Sequence, residues 1–225
     1  MVVLLPALGA ARESARGAAC LSMTRQHAIA WVNNMTDSRN RLWQYDFDKL
    51  HLLRIEEYAS GAETNLICPE APDINPNDSG TSWRGGTAKH AYLDKGRFIS
   101  SYGFNGYLYD IQRPTGGLIS YGGGPTNLDR WWGSWVGDVK DATKTPVFGD
   151  CNKSDAWGHH TDAANPTGNG EVLTHGVGNF AMDRHPNVSV NLSYVDGHGE
   201  SVAAKDLWQQ MWNAQFEPTD KVLNW

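Results

Sequence analysis

The 225-residue sequence predicts an α+β fold: an N-terminal helix packed on a globular domain with an antiparallel sheet, long loops and a C-terminal helix. Three observations predict it. Residues 4–33 are rich in Ala and other good helix formers. In residues 188–195, V-S-V-N-L-S-Y-V, the even positions are apolar, the period of a strand with one buried face. Finally, Leu207, Trp208, Met211, Trp212 and Phe216 recur at helical spacing within residues 204–216.

Along the first helix the pattern places Arg12, Arg16 and Arg25 outward and Leu8, Ala11, Ala15, Ala18 and Ile29 inward. Gly9 and Gly17 weaken it, and Pro6 predicts a kink or a local loss of helix. A short second helix is expected over residues 47–59, bounded by Ser60-Gly61, and residues 69–86 read as a long loop. Residues 97–109 are aromatic and β-prone, the segment expected to cross the centre of the domain. The Gly-rich stretch 115–125 comes next, then a strand over residues 145–150 and a second long loop over residues 155–178. Asp196-Gly197 supplies a two-residue turn, and residues 198–203 return as the partner strand of a hairpin. Nothing divides the globular part, so the organisation is a helix over residues 1–34 and one domain over residues 35–225.

A formal charge of -6 and a pI near 5.7 argue against a phosphate-binding surface, so no nucleic-acid partner is expected. The apolar run over residues 2–11 is about half of the roughly 20 residues that cross a bilayer. The chain alone is therefore not expected to span a membrane. No Lys or Arg precedes Arg12, so there is no secretory n-region, and the start reads as truncated.

Ten Trp is a high number, and three of them cluster as Trp131, Trp132 and Trp135. Flat indoles could form a ligand surface for sugars, or anchor loops to the core. Of three cysteines, Cys68 and Cys151 each end a short apolar run and are the plausible pair. A bridge between them would close a loop of roughly 80 residues, worth about 4 to 5 kcal/mol in the chain-entropy model. Two buried thiols are the alternative.

The loop over residues 155–178 and the hairpin hold Asp155, His159, His160, Asp162, His175, Asp183, His185, Asp196 and His198. His159 and His160 with Asp150, Asp155 and Asp162 could bind a divalent metal, or form a polar network that ties the loop to the sheet. No Gly-x-Ser-x-Gly elbow, P-loop or dinucleotide-binding fingerprint occurs, and Asp183-Arg-His185 lacks a marked nucleophile.

The segments Leu4-Leu-Pro-Ala-Leu8 with Ala11-Arg-Glu-Ser14, Cys68-Pro69, Ser101-Tyr-Gly-Phe-Asn-Gly106, Pro146-Val-Phe-Gly-Asp150, Trp157-Gly-His-His160, Asp183-Arg-His185 and Lys205-Asp-Leu-Trp208 carry a resemblance. The chain resembles bacterial pseudopilin-like proteins with the prepilin-type processing-associated C-terminal domain, marked by a His followed about nine residues later by Asp-Gly. Here ten residues separate His185 from Asp196-Gly197. The resemblance implies a pilin-like fold and a non-enzymatic structural subunit of a type II secretion or pilus-like assembly. It implies a periplasmic or cell-surface location, anchored in the inner membrane in full-length form. Its partners would be copies of itself or other pseudopilins, met through the N-terminal helix, with a membrane contact only if an upstream segment completes that helix. No cofactor is required, but the resemblance to major pseudopilins makes calcium a candidate, with Asp150, Asp155 and Asp162 as hard oxygen ligands. The other reading is a secreted or periplasmic glycan-binding module that uses the Trp cluster.

Overall fold

In the computed structural model the described residues are 4–45, 51–56, 58, 66–71, 73–74, 87–94, 98–110, 128–163 and 176–223. The stretch 115–125, the Phe47 start of the second helix and its Ser60-Gly61 boundary, Val2 at the N-terminus, and residues 75–86 and 164–175, with His175, lie outside them.

Helix α1 (Leu4–Asp37) carries the helical signal to its expected start and a few residues beyond its expected end. Pro6 falls in its first turn, where the missing N–H breaks no intrahelical bond, so the proline is accommodated without loss of helix. At the other end Arg39 and Asn40 take φ of 57° and 62°, and the Asn40 N–H returns to the Met35 carbonyl at 2.6 Å, a Schellman-type stop.

The inward face differs from the expectation. Leu8, Ala11, Ala15, Ala18 and Ile29 are all exposed, and the buried stripe is Cys20, Thr24, His27, Ala28, Trp31, Asn34 and Met35. These positions keep helical spacing, but their polarity hides them from a hydropathy pattern.

The stripe is mixed: Cys20 meets Asp150 and Tyr102, whereas Ala30, Trp31 and Met35 join the apolar core with Phe104 and Phe148. A five-stranded sheet runs in the order β10 (Gly199–Ala203), β9 (Ser189–Tyr194), β7 (Pro146–Asp150), β5 (Tyr102–Asn105), β8 (Asp155–Ala156). It is antiparallel except for β8, which lies parallel to β5. Helix α1 packs on β9, β10 and β7. All six residues of β9 are buried, which corrects the expectation of a single buried face. Val190, Leu192 and Tyr194 pack with Phe180, Trp208 and Trp212, whereas Asn191 points to α1 and donates from Nδ2 to the Gly17 carbonyl at 3.1 Å. The sheet is thus sandwiched between α1 and the C-terminal segment. β5 lies inside it, as the aromatic segment predicts.

Smaller elements frame this core. β1 (Trp43–Gln44) pairs in parallel with β6 (Tyr109–Asp110), and β2 (Asp73–Ile74), β3 (His90–Asp94) and β4 (Phe98–Ser100) form a separate three-stranded sheet. Helix α2 (His51–Glu56) lies within the predicted segment.

Two local expectations are corrected. Only Gly197, φ 88°, is left-handed in the hairpin loop; the Gly197 N–H bonds the Tyr194 carbonyl and the Tyr194 N–H bonds the His198 carbonyl. This is a three-residue loop, a tight turn followed by a glycine bulge, rather than a two-residue turn. The Val195 N–H, drawn to the Thr145 carbonyl at 3.1 Å, ties this loop to the start of β7. The closing α-helix is a 3-10 helix, Ala204–Gln209, followed by extended chain. Leu207, Trp208, Trp212 and Phe216 are still buried, but the Met211 N–H bonds the Lys144 carbonyl instead of continuing a helix.

Candidate functional site

The described residues bring four metal-ligating side chains together beneath α1. Asp150 ends β7, and in this register it stands opposite Tyr102 on β5, on the face covered by the helix. Cys20 descends from α1, Cys68 comes from the segment before the small sheet, and His185 precedes β9. One ligating atom from each of Cys20, Cys68, Asp150 and His185 can be chosen so that all lie within 4.8 Å of one another, and all four residues are buried. The Cys20 thiol donates to Asp150 Oδ1 at 2.9 Å and lies 3.1 Å from the Tyr102 hydroxyl. His185 Nε2 is 2.9 Å from Asp150 Oδ2 and 3.8 Å from Cys68 Sγ.

A second layer fixes these groups. The Asn191 N–H donates to Asp150 Oδ2 at 2.7 Å. The fully buried Arg184 guanidinium donates to the carbonyls of Ala88 (2.6 Å), Cys151 (3.0 Å) and Ser101, and approaches Asp150 Oδ1 at 3.5 Å. A charge with no water around it needs such partners. His185 is held by a turn through Asn187 and Val188, φ 63° and 53°, that closes a bridge between His185 and Ser189.

Electrostatics follow from the packing. Burial opposes the charged Asp150, but His185 and Arg184 outweigh it and hold the carboxyl below its usual range. Burial likewise disfavours a charged imidazole, yet Asp150 pushes His185 up to about 9. Burial would raise Cys68, but hydrogen bonds from Cys20 and His185 bring it down to about 6. Burial pushes the Cys20 thiol up, with Cys68 and Asp150 adding to it.

A thiolate beside an imidazole and a carboxylate invites comparison with a nucleophilic triad. The geometry is wrong for one. The same ring nitrogen of His185 faces both Cys68 and Asp150, so no relay runs from carboxylate through imidazole to sulfur. The other nitrogen, Nδ1, is buried without a hydrogen-bond partner among the described residues. The carboxylate partner of His185, Asp150, is on β7.

The metal set expected from sequence is not one site. Asp150, Asp155, Asp162, His159 and His160 divide among three places. Asp155 accepts from the Tyr109 hydroxyl at 3.0 Å and lies 3.5 Å from His51 Nδ1. Asp162 accepts from the His159 and Val177 N–H groups, both at 2.8 Å, closing its loop against Gly176. With φ of 67° there, and a Cβ falling 1.9 Å from the Asp162 carboxylate, Gly176 has no room for a side chain. His159 and His160 stack with ring centres 4.1 Å apart beside an open cleft of about 500 Å³ lined by Arg130, Phe216 and Glu217. The three aspartates proposed for calcium therefore do not converge.

The Cys68–Cys151 bridge is also corrected: all three cysteines are free. Cys151 follows Asp150 in the chain and so points to the opposite face, where its thiol donates to the Asn179 carbonyl at 2.9 Å. Cys68 faces Cys20 instead.

Nor do the clustered indoles form one surface. Trp131 and Trp132 are buried, Trp131 packing on Tyr107 and Trp157, whereas Trp135 is 46% exposed with the Arg41 guanidinium 5.3 Å from its ring. Asp196 accepts from the His198 N–H at 3.1 Å within the hairpin loop, beside Gly197.

Sequence reasoning missed Cys20, Tyr102 and Arg184 as members of the site. The adjacency of Arg184 and His185 was the available signal, but the ligands come from four distant segments with no common spacing. The chain matches no protein-family model, no curated protein and no solved structure.

Proposed function

We propose that the chain is a non-enzymatic structural subunit with a pilin-like fold, belonging to a pseudopilin-type assembly at the periplasm or cell surface. It associates with copies of itself or with other pseudopilins through the N-terminal part of α1. One observation carries this reading: every described side chain over residues 6–16 is exposed, although the segment is helical, rich in Ala and carries Leu8. Among the described residues the domain meets this segment only through the Arg16–Glu70 ion pair at 3.3 Å, so its exposed surface is open to a neighbouring helix. The small side chains of Ala7, Ala10, Ala11 and Ala15 allow close approach of a neighbouring helix.

No described helix is long and apolar enough to cross a membrane. Anchoring in the inner membrane accordingly calls for an apolar segment that continues α1 upstream.

A photo-crosslinking residue placed at Leu8 in the natural host tests the proposal, with a matched probe at Val222, 78% exposed, as the comparison. The Leu8 probe is expected to trap a second copy or another pilin-type subunit, and the Val222 probe is not. A Leu8 probe that yields only monomer would remove the basis for assembly through α1.

A further inference from the structure

We propose that Cys20, Cys68, Asp150 and His185 form a closed four-coordinate zinc site that pins helix α1 to the globular domain. Beyond the proposed assembly role, this gives the subunit a resident metal.

The donor set selects the ion. Two sulfurs and an imidazole suit zinc, and a hard cation such as calcium takes oxygen ligands instead. The geometry is close to what a tetrahedral ion needs. With metal–sulfur distances of about 2.3 Å and metal–nitrogen or metal–oxygen distances of about 2.0 Å, ligating atoms stand roughly 3.3–3.8 Å apart. Cys68 and His185 are already at 3.8 Å. Asp150 meets Cys20 through Oδ1 and His185 through Oδ2, each at 2.9 Å; a four-coordinate ion takes one of these oxygens, and one ligating atom from each residue already lies within 4.8 Å of the others. All four residues are buried, so the site has no open coordination position for substrate, the mark of a structural rather than a catalytic centre.

Charge closes the argument. Two thiolates and a carboxylate bring three negative charges into a buried volume; zinc supplies two positive charges and the buried Arg184 guanidinium the third. Zinc takes the sulfurs as thiolates and the imidazole as its neutral form, so binding releases protons to solvent and becomes weaker as pH falls. Orienting contacts are in place as well: the Asn191 N–H and Arg184 hold Asp150, and the Tyr102 hydroxyl lies beside Cys20. Because Cys20 belongs to α1 and the other three ligands to the domain, the metal would resist separation of the helix from the sheet. That is the place where a load on the exposed half of α1 would be transmitted.

Cobalt(II) and zinc(II), each added alone to the chain purified under reducing conditions, test the site. One equivalent of cobalt should give the strong visible bands of a tetrahedral ion and near-ultraviolet sulfur-to-cobalt charge transfer, and one equivalent of zinc should abolish both. Cys68→Ser should halve the charge-transfer intensity, and Cys151→Ser, whose sulfur lies on the other face of the sheet, should leave it unchanged. Native mass spectrometry of freshly isolated protein should show one zinc per chain. The wild-type and Cys151→Ser measurements stand even if Cys68→Ser fails to fold. Absence of the tetrahedral spectrum in reduced wild-type protein, loss of intensity in Cys151→Ser, or a Cys20–Cys68 disulfide in the freshly isolated chain would each overturn the proposal.

Discussion

Asp150 and Asp162 each accept from backbone N–H and contact a histidine residue, Asp150 through the His185 ring and Asp162 through the His159 N–H, yet they do different work. Asp162 sits in a partly exposed loop and gives Oδ2 to the His159 and Val177 N–H groups. Its neighbour His159 turns Nδ1 to Thr161 at 2.5 Å, back into the same loop. Asp150 is buried and meets side chains from α1, from residue 68 and from the segment before β9. Residue type is the same in the two places. The difference is whether the carboxylate holds its own loop or joins distant segments, and only the second arrangement assembles a ligand set.

Substitutions across the two regions sharpen that contrast when unfolding is followed in a chelating buffer, which removes any metal contribution. Arg184→Met should have the largest effect, a loss of about 3–5 kcal/mol, because it leaves a buried carboxylate and three carbonyls without their cation. Urea unfolding that moved by less than about 1 kcal/mol would mean that the buried charges do not hold this region together.

His185→Ala comes next. It removes one partner of Asp150 while Arg184 and the Asn191 N–H remain, so a loss of about 1–3 kcal/mol is expected in thermal or chemical unfolding. An unchanged midpoint would place the weight of the cluster on Arg184 alone.

Asp162→Ala deletes two hydrogen bonds to backbone in a less buried setting, and about 1 kcal/mol is the expected cost. Hydrogen exchange should then quicken at Val177 with little change in β7. Protection lost equally in both would contradict the local character assigned to Asp162.

His159→Ala should stay within about 0.5 kcal/mol of the parent, as a partly exposed side chain whose contacts are within its own loop. A larger loss would show that the stacked His159 and His160 rings hold the cleft together.

What could be read from sequence was local. The Ala-rich run specified α1 because helix propensity acts over near neighbours. The alternation of Val190, Leu192 and Tyr194, followed by a glycine able to take positive φ, specified the hairpin. Apolar spacing found the burial of Leu207, Trp208, Trp212 and Phe216 but assigned an α-helix, because side-chain period does not report that the Met211 N–H is claimed by the Lys144 carbonyl. The metal expectation grouped Asp150 with residues such as His159 and Asp162, whereas the fold places it beside Cys20, Cys68 and His185, which come from distant segments.

By itself, then, the sequence determined where the chain is helical, where it alternates as strand, and that the protein is α+β, because each depends on interactions within a few residues. Tertiary structure alone decided which stripe of α1 turns inward. Cys20 meets Asp150 and Tyr102, His27 packs on Tyr102 and Phe148, and Trp31 and Met35 join the apolar core, whereas Leu8 and Ile29 stay exposed; these contacts come from strands distant in the sequence. The same packing decided that Cys68 meets Cys20 and not Cys151. Consecutive residues of a strand face opposite ways, so Asp150 and Cys151 belong to different faces of one sheet, and only packing assigns the helix to one of them.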